Sequence, residues 1–175
     1  MKNIRRGPFI IMNLLLFIMM GFSVISYAGT QEITPIPNEI AVSQGQSVHI
    51  SLSYDVIEGA KKTTGLGLRI YYNSSLIEQV LFEDVYGEGL LAVDTTGQDD
   101  ASDSDNDALT DKYIGVAWVG VAGDWPSFMK FPVTLGKVVI KARTGVSGQT
   151  ELNLLPSGTP DGYTLQKKSV AVKIR

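Results

Sequence analysis

In "SVHISLSYDV", residues 47–56, Val48, Ile50, Leu52 and Tyr54 alternate with Ser47, His49, Ser51 and Ser53. A period of two is the spacing of side chains on one face of a β-strand, so this stretch is a strand with one buried and one wet face. The pattern recurs along the chain. "GLGLRIYY", residues 65–72, sets Leu66, Leu68, Ile70 and Tyr72 against Gly67, Arg69 and Tyr71. "LGKVVIKAR", residues 135–143, sets Val138, Ile140 and Ala142 against Lys137, Val139 and Lys141. "TELNLL" and "SVAVKI" present Leu152 and Leu154, then Val170, Val172 and Ile174. "YIGVAWVGV", residues 113–121, is apolar on both faces, as a central strand is. "SLIEQVLFEDVY" and "GLLAVD" are further strand candidates, and the prolines of "ITPIPNEIAVSQGQ" suit an edge strand or a lead-in. Gly, Asn, Ser and Pro punctuate these stretches at short intervals. Only "NSSLIEQVLF" has room for a short turn of helix. The expectation is an all-β chain, a single β-sandwich of about eight or nine strands.

The first residues follow another rule. "MKNIRRG" carries three positive charges, an apolar run follows, and small residues stand at Ser26 and Ala28. That order is a secretory signal peptide over residues 1–28, cleaved after Ala28; the alternative is an uncleaved anchor, for which the run is short. The sandwich is then assigned to residues 29–175, in a secreted protein, extracellular or periplasmic, with no membrane attachment after cleavage. The chain has no cysteine, which excludes a thiol nucleophile, a disulfide framework and a Cys-linked lipid. Losing Lys2, Arg5 and Arg6 takes the formal net charge from −3 to −6. Nucleic acid is thereby a poor partner, since binding it takes clustered Lys and Arg.

Four segments, in order, resemble a cohesin domain: "AVSQGQSVHISLSYDV", "GLGLRIYYNSSLIEQV", "DKYIGVAWVG" and "LGKVVIKARTGVSGQTELNL". The resemblance spans about residues 38–174 and rests on the order and spacing of the segments. It implies a jelly-roll-like β-sandwich that binds and does not catalyse. Cohesins dock a dockerin on one sheet face, and related folds bind cellulose. The resemblance assigns no contact residues, because cohesin recognition surfaces have no short fixed motif. Two departures stand out. "NSS" replaces the more usual Asp-Pro-Ser turn, and residues 94–111 form an acidic insertion.

That insertion holds seven aspartates between Asp94 and Asp111, with no Lys or Arg before Lys112. Counted from Asp103, the residues Asp103, Asp105, Asp107 and Asp111 fall at loop positions 1, 3, 5 and 9, and position 7 is Leu109. Calcium loops take carboxylates at 1, 3 and 5 and a backbone carbonyl at 7. The expected metal ligands are therefore Asp103, Asp105, Asp107, the Leu109 carbonyl and Asp111, holding a structural Ca2+. Ala108 stands where an EF-hand loop has glycine and Ile114 where it has a bidentate Glu, so Asp99, Asp100 or water would complete the shell. The loop also resembles the aspartate-rich calcium loops of thrombospondin-type repeats. The competing reading is a solvated acidic loop that aids solubility.

Little else suggests chemistry. His49 is the only histidine and lies on the polar face of its strand, so no nucleophilic triad assembles around it. Nothing orders two carboxylates opposite each other for glycoside hydrolysis. In "GDWPSF", Trp125 and Phe128 follow a strand. Trp125 is either a sugar-stacking ligand-binding residue on the rim or a plug closing the core beneath the loop. The functional expectation is a non-catalytic binding module for a dockerin-type protein module or a polysaccharide. The alternative is a structural or adhesive surface protein that self-associates; a glycoside hydrolase ranks behind both.

Overall fold

A computed structural model describes residues 29–127 and 130–175; the signal-peptide assignment and Phe128 lie outside them. Twelve strands form two sheets, with no helix among the described residues. They are β1 Gly29–Ile36, β2 Glu39–Val42, β3 Ser47–Glu58, β4 Gly65–Tyr72, β5 Ile77–Glu83, β6 Leu90–Val93, β7 Gln98–Asp99, β8 Lys112–Val119, β9 Val133–Ala142, β10 Gly148–Gly158, β11 Tyr163–Leu165 and β12 Lys168–Ile174. One sheet runs β11-β1-β3-β9-β5; the other runs β2-β12-β10-β4-β8-β6, with β7 also pairing to β8.

The sandwich expected from the alternation is present, with three strands more than the nine candidate stretches. The first stretch splits around Pro37 and Asn38 into β1 and β2, which join different sheets. β7 and β11 are two and three residues long, too short for a period to show. "NSSLIEQVLF" contains no helix. The Leu76 and Ile77 amides bond the Asn73 carbonyl in one turn, and the chain then enters β5. Pro35 has no need of an edge strand in full, because β11 flanks only Gly29–Gln31 and leaves the rest of β1 open on that side.

The inward residues are those the alternation selects. Ile50, Leu52, Tyr54 and Val56 of β3 meet Leu66, Leu68, Ile70 and Tyr72 of β4 in one buried cluster with Val138, Ile140, Leu152, Leu154, Val170 and Val172. Each aliphatic side chain so buried stabilises by about 1.5–3 kcal/mol. A one-residue slip in any strand would turn that set to water, which is why burial fixes the register. One interruption is built in. The β3–β9 register shifts between Leu52 and Ser53, opposite Gly136. Gly136 has φ +146°, and a Cβ there would come within 2.6 Å of the Phe82 ring. Only glycine fits that bulge.

The two outer faces differ. On the five-stranded sheet, Ser51 and Ser47 stand opposite Lys137 and Lys141, which pair with Asp84 at 2.6 Å and Glu78 at 3.0 Å. On the other sheet, Gly67, Gly115 and Ala117 leave the centre low, and Tyr71 is buried although its strand turns it away from the core.

Candidate functional site: an apolar sheet face beside an acidic loop

The acidic loop is closed at its base before any acid is considered. β7 pairs Gln98 with Tyr113 and Asp99 with Lys112, and the Asp100 amide bonds the Asp111 carbonyl at 2.9 Å. Within the loop, Asp103 and Asn106 adopt left-handed conformations, φ 48° and 59°, which Asp and Asn tolerate better than most residues. Tight turns follow, with the Asn106 amide on the Asp103 carbonyl and the Thr110 amide on the Asp107 carbonyl.

Asp105 anchors this loop to the sheet. It is fully buried. Its carboxylate accepts hydrogen bonds from Thr110 Oγ1 at 2.7 Å, Asn153 Nδ2 at 2.8 Å and the Asp107 amide at 3.2 Å. Its backbone carbonyl accepts from Lys167 Nζ at 2.7 Å. A buried carboxylate is tolerated only when so satisfied. Asn153, in β10, stands directly opposite Tyr71 in β4. The loop thus roofs that part of the outer face and buries Tyr71, whose ring meets Tyr113 at 5.4 Å while Arg69 lies 4.6 Å over Tyr113.

The expected metal ligands divide. Oxygens of Asp103 and Asp105 lie within 4.8 Å of one another and of an Asp100 oxygen. Asp100, expected only as a substitute ligand, is the third member of this group, oriented by the Ser104 amide at 2.8 Å and Ser104 Oγ at 2.9 Å. Asp107 turns aside, accepting from Asn153 Nδ2 at 3.2 Å and from the Leu109 amide at 3.1 Å. The Leu109 side chain is exposed. Asp111 is spoken for elsewhere: it accepts from the Ser74 amide at 2.7 Å and Ser74 Oγ at 2.6 Å, tying the loop to the β4–β5 turn. Burial works against its ionisation, but the Ser74 bonds outweigh that and hold its carboxyl below the usual range. Period-two spacing therefore brings Asp103 and Asp105 together but not Asp107 or Asp111, because the left-handed turns at Asp103 and Asn106 break it.

Trp125 is not a rim residue. It is 1 % exposed, its Nε1 donates to the Glu88 carbonyl at 2.9 Å, and its ring lies on Trp118 at 6.0 Å and against Tyr54 at 5.2 Å. Reciprocal backbone bonds with Thr63 hold it there. The sugar-stacking role expected for it is overturned, since neither ring face is free.

The exposed apolar surface is elsewhere. Of the seven large hydrophobic residues exposed among the described residues, Leu91 and Val119 line one trough, and Leu90 and Val121 lie within two residues of them in the chain. Gly67, Leu91, Ala117, Val119, Ser157 and Pro160 line a trough of about 280 Å³ in the same face. Gly115 keeps this face low. Its amide donates to Asp94 Oδ2 at 2.8 Å, and an added Cβ would meet that oxygen at 3.0 Å. Sequence reading found Arg69 and Tyr71 on this side but missed the trough, which depends on strands far apart in the chain.

No family model matches this chain, and no curated protein matches it. Solved structures do. The cohesin CaCohA2 from Clostridium acetobutylicum is 11% identical over 83% of this chain and 90% of that chain, with a TM-score of 0.51. A chain of the Coh-OlpA–Doc918 complex, a type I cohesin–dockerin complex from Clostridium thermocellum, is 15% identical over 83% of this chain and 99% of its own, with a TM-score of 0.50. The fold is that of a cohesin β-sandwich.

Proposed function

We propose that this protein is an exported, non-catalytic binding module that docks a dockerin-type protein module on the outer face of β10, β4, β8 and β6. The observation that carries the reading is the contrast between the two outer faces. One is polar and ion-paired; the other is low and apolar, its trough lined by the exposed Leu91 and Val119. Protein interfaces concentrate apolar residues at their centre and polar ones at the rim. The cohesin fold, met in one neighbour as part of a cohesin–dockerin complex, supports the choice of partner. A flat polysaccharide is the lesser fit, because Trp118, Trp125 and Tyr71 are all buried and leave no row of aromatic faces.

The acidic loop serves this face as a wall, and calcium orders it. The donor set suits a hard cation: three carboxylates converge and all donors are oxygen. Asp100, Asp103 and Asp105 would hold the ion, and it would neutralise like charges that otherwise repel. Extracellular modules hold calcium at about 10⁻⁴–10⁻³ M.

Docking is tested by calorimetry of the purified protein against a panel of dockerin modules in millimolar calcium. Ala117→Arg in the trough is expected to weaken binding at least tenfold, and Ser51→Arg on the opposite face to leave it unchanged. Binding that Ser51→Arg weakens and Ala117→Arg does not would overturn the choice of face. Binding to cellulose and to no dockerin would overturn the choice of partner.

A further inference from the structure

The acidic loop has a second side. Beyond it, across β10, β12 and β2, lies a groove of about 460 Å³ lined by Glu39, Asp107, Leu109, Glu151, Ala171 and Lys173 among others. Its floor follows from register. Glu151 of β10 stands opposite Ala171 of β12, and Ala171 stands opposite Glu39 of β2. All three point outward, because Leu152, Val172 and Ile40 on either side of the row are buried in the core. Two carboxylates therefore flank one methyl group across three adjacent strands. The loop adds Asp107 along a third side and Leu109 above it.

None of the five ion pairs among the described residues uses Glu39, Asp107, Glu151 or Lys173. Three carboxylates thus face one ammonium, an excess of two negative charges around a small apolar floor. A single metal ion does not match this layout. Neighbouring strands are about 4.8 Å apart, so Glu39 and Glu151 spring from backbone roughly 10 Å apart. Calcium needs its oxygens at about 2.3–2.6 Å. An extended organic cation does match. Its charged head reaches the carboxylates while its methylene stem lies on Ala171 and Leu109, and a guanidinium offers donors on several edges at once.

We propose that this groove receives an arginine or lysine side chain of a partner polypeptide, with Glu39 and Glu151 as the paired acceptors and Asp107 as the third. The site is separate from the apolar trough and does not depend on what docks there.

The test is chemical-shift mapping of the ¹⁵N-labelled protein with acetyl-Arg-Ala-Arg-amide, against acetyl-Gln-Ala-Gln-amide, in millimolar calcium. Saturable shifts at Glu39, Glu151, Ala171 and Leu109 are expected with the arginine peptide alone. Glu39→Gln/Glu151→Gln is expected to raise its Kd at least tenfold while the rest of the spectrum keeps its dispersion. Glu78→Gln, on the other sheet, is expected to leave the Kd unchanged. Shifts centred on Asp100 and Asp103, equal weakening by Glu78→Gln, or equal binding of the glutamine peptide would each overturn the proposal. Putrescine displacing the peptide at equal concentration would overturn the polypeptide partner in favour of a free diamine.

Discussion

Trp125 shows what a single residue can and cannot disclose before folding. It sits between Asp124 and Pro126 in a segment with no alternation, so no period assigns its ring to a face. The answer comes from partners far along the chain. The Glu88 carbonyl takes its indole proton, and Tyr54 and Trp118 take its faces. Trp125→Ala removes a large buried ring and leaves a cavity, at a cost of about 3–5 kcal/mol. That is a large part of a typical domain's total stability. Urea denaturation is expected to show a midpoint lowered by that energy divided by the slope, with the slope unchanged, whereas a rim platform for sugars would lose almost nothing. Tyr71 makes the same point from the other side. Alternation places it correctly on the outer face, but its burial depends on Asp105 and Asn153, which are 48 positions apart. His49, by contrast, was legible at once: a polar residue in a clean period of two, it is exposed on the polar face of β3.

At the scale of elements, the long strands were readable and the short ones were not. β3, β4, β9 and β12 each carry enough turns of the period to declare a face. β7 and β11 exist only because neighbouring backbone is there to pair with. The acidic loop falls between these cases. Its composition announced it, but its spacing did not disclose which acids converge, because two left-handed residues reset the direction of the side chains. This changes how calcium binding is to be tested. Asp105→Ala would remove bonds to Thr110 and Asn153 whether or not an ion binds, so it cannot separate the two effects. Asp103→Asn is the cleaner variant, since Asp103 is exposed. In a thermal melt, millimolar calcium is expected to raise the midpoint of the parent protein relative to EDTA and to do so much less in Asp103→Asn. A midpoint indifferent to calcium in both would leave the loop as a solvated wall held by its hydrogen bonds through Asp105, Asp107 and Asp111.

The whole molecule is a sandwich with one face settled and one face unfinished. The outer face of β3, β9 and β5 satisfies its own charges. The face of β10, β4, β8 and β6 carries apolar side chains that nothing among the described residues covers, with acids on one border. Patches of this kind mark interaction sites or invite self-association. The acids decide between these outcomes. Residues 29–175 carry a formal charge of −6, and seven aspartates lie between positions 94 and 111, beside the patch. Two copies meeting through this face would bring two such loops into one interface. The repulsion is strongest at low ionic strength, where the Debye length reaches about 30 Å at 0.01 M. A partner with a basic rim meets no such barrier, and electrostatic complementarity speeds its approach. Light scattering in low salt is therefore expected to give the mass of a monomer across a hundredfold range of concentration. A mass that climbs with concentration in low salt would mean that the apolar face outweighs the loop, and the molecule would then be a self-associating surface protein, its docking face already occupied by its own copy.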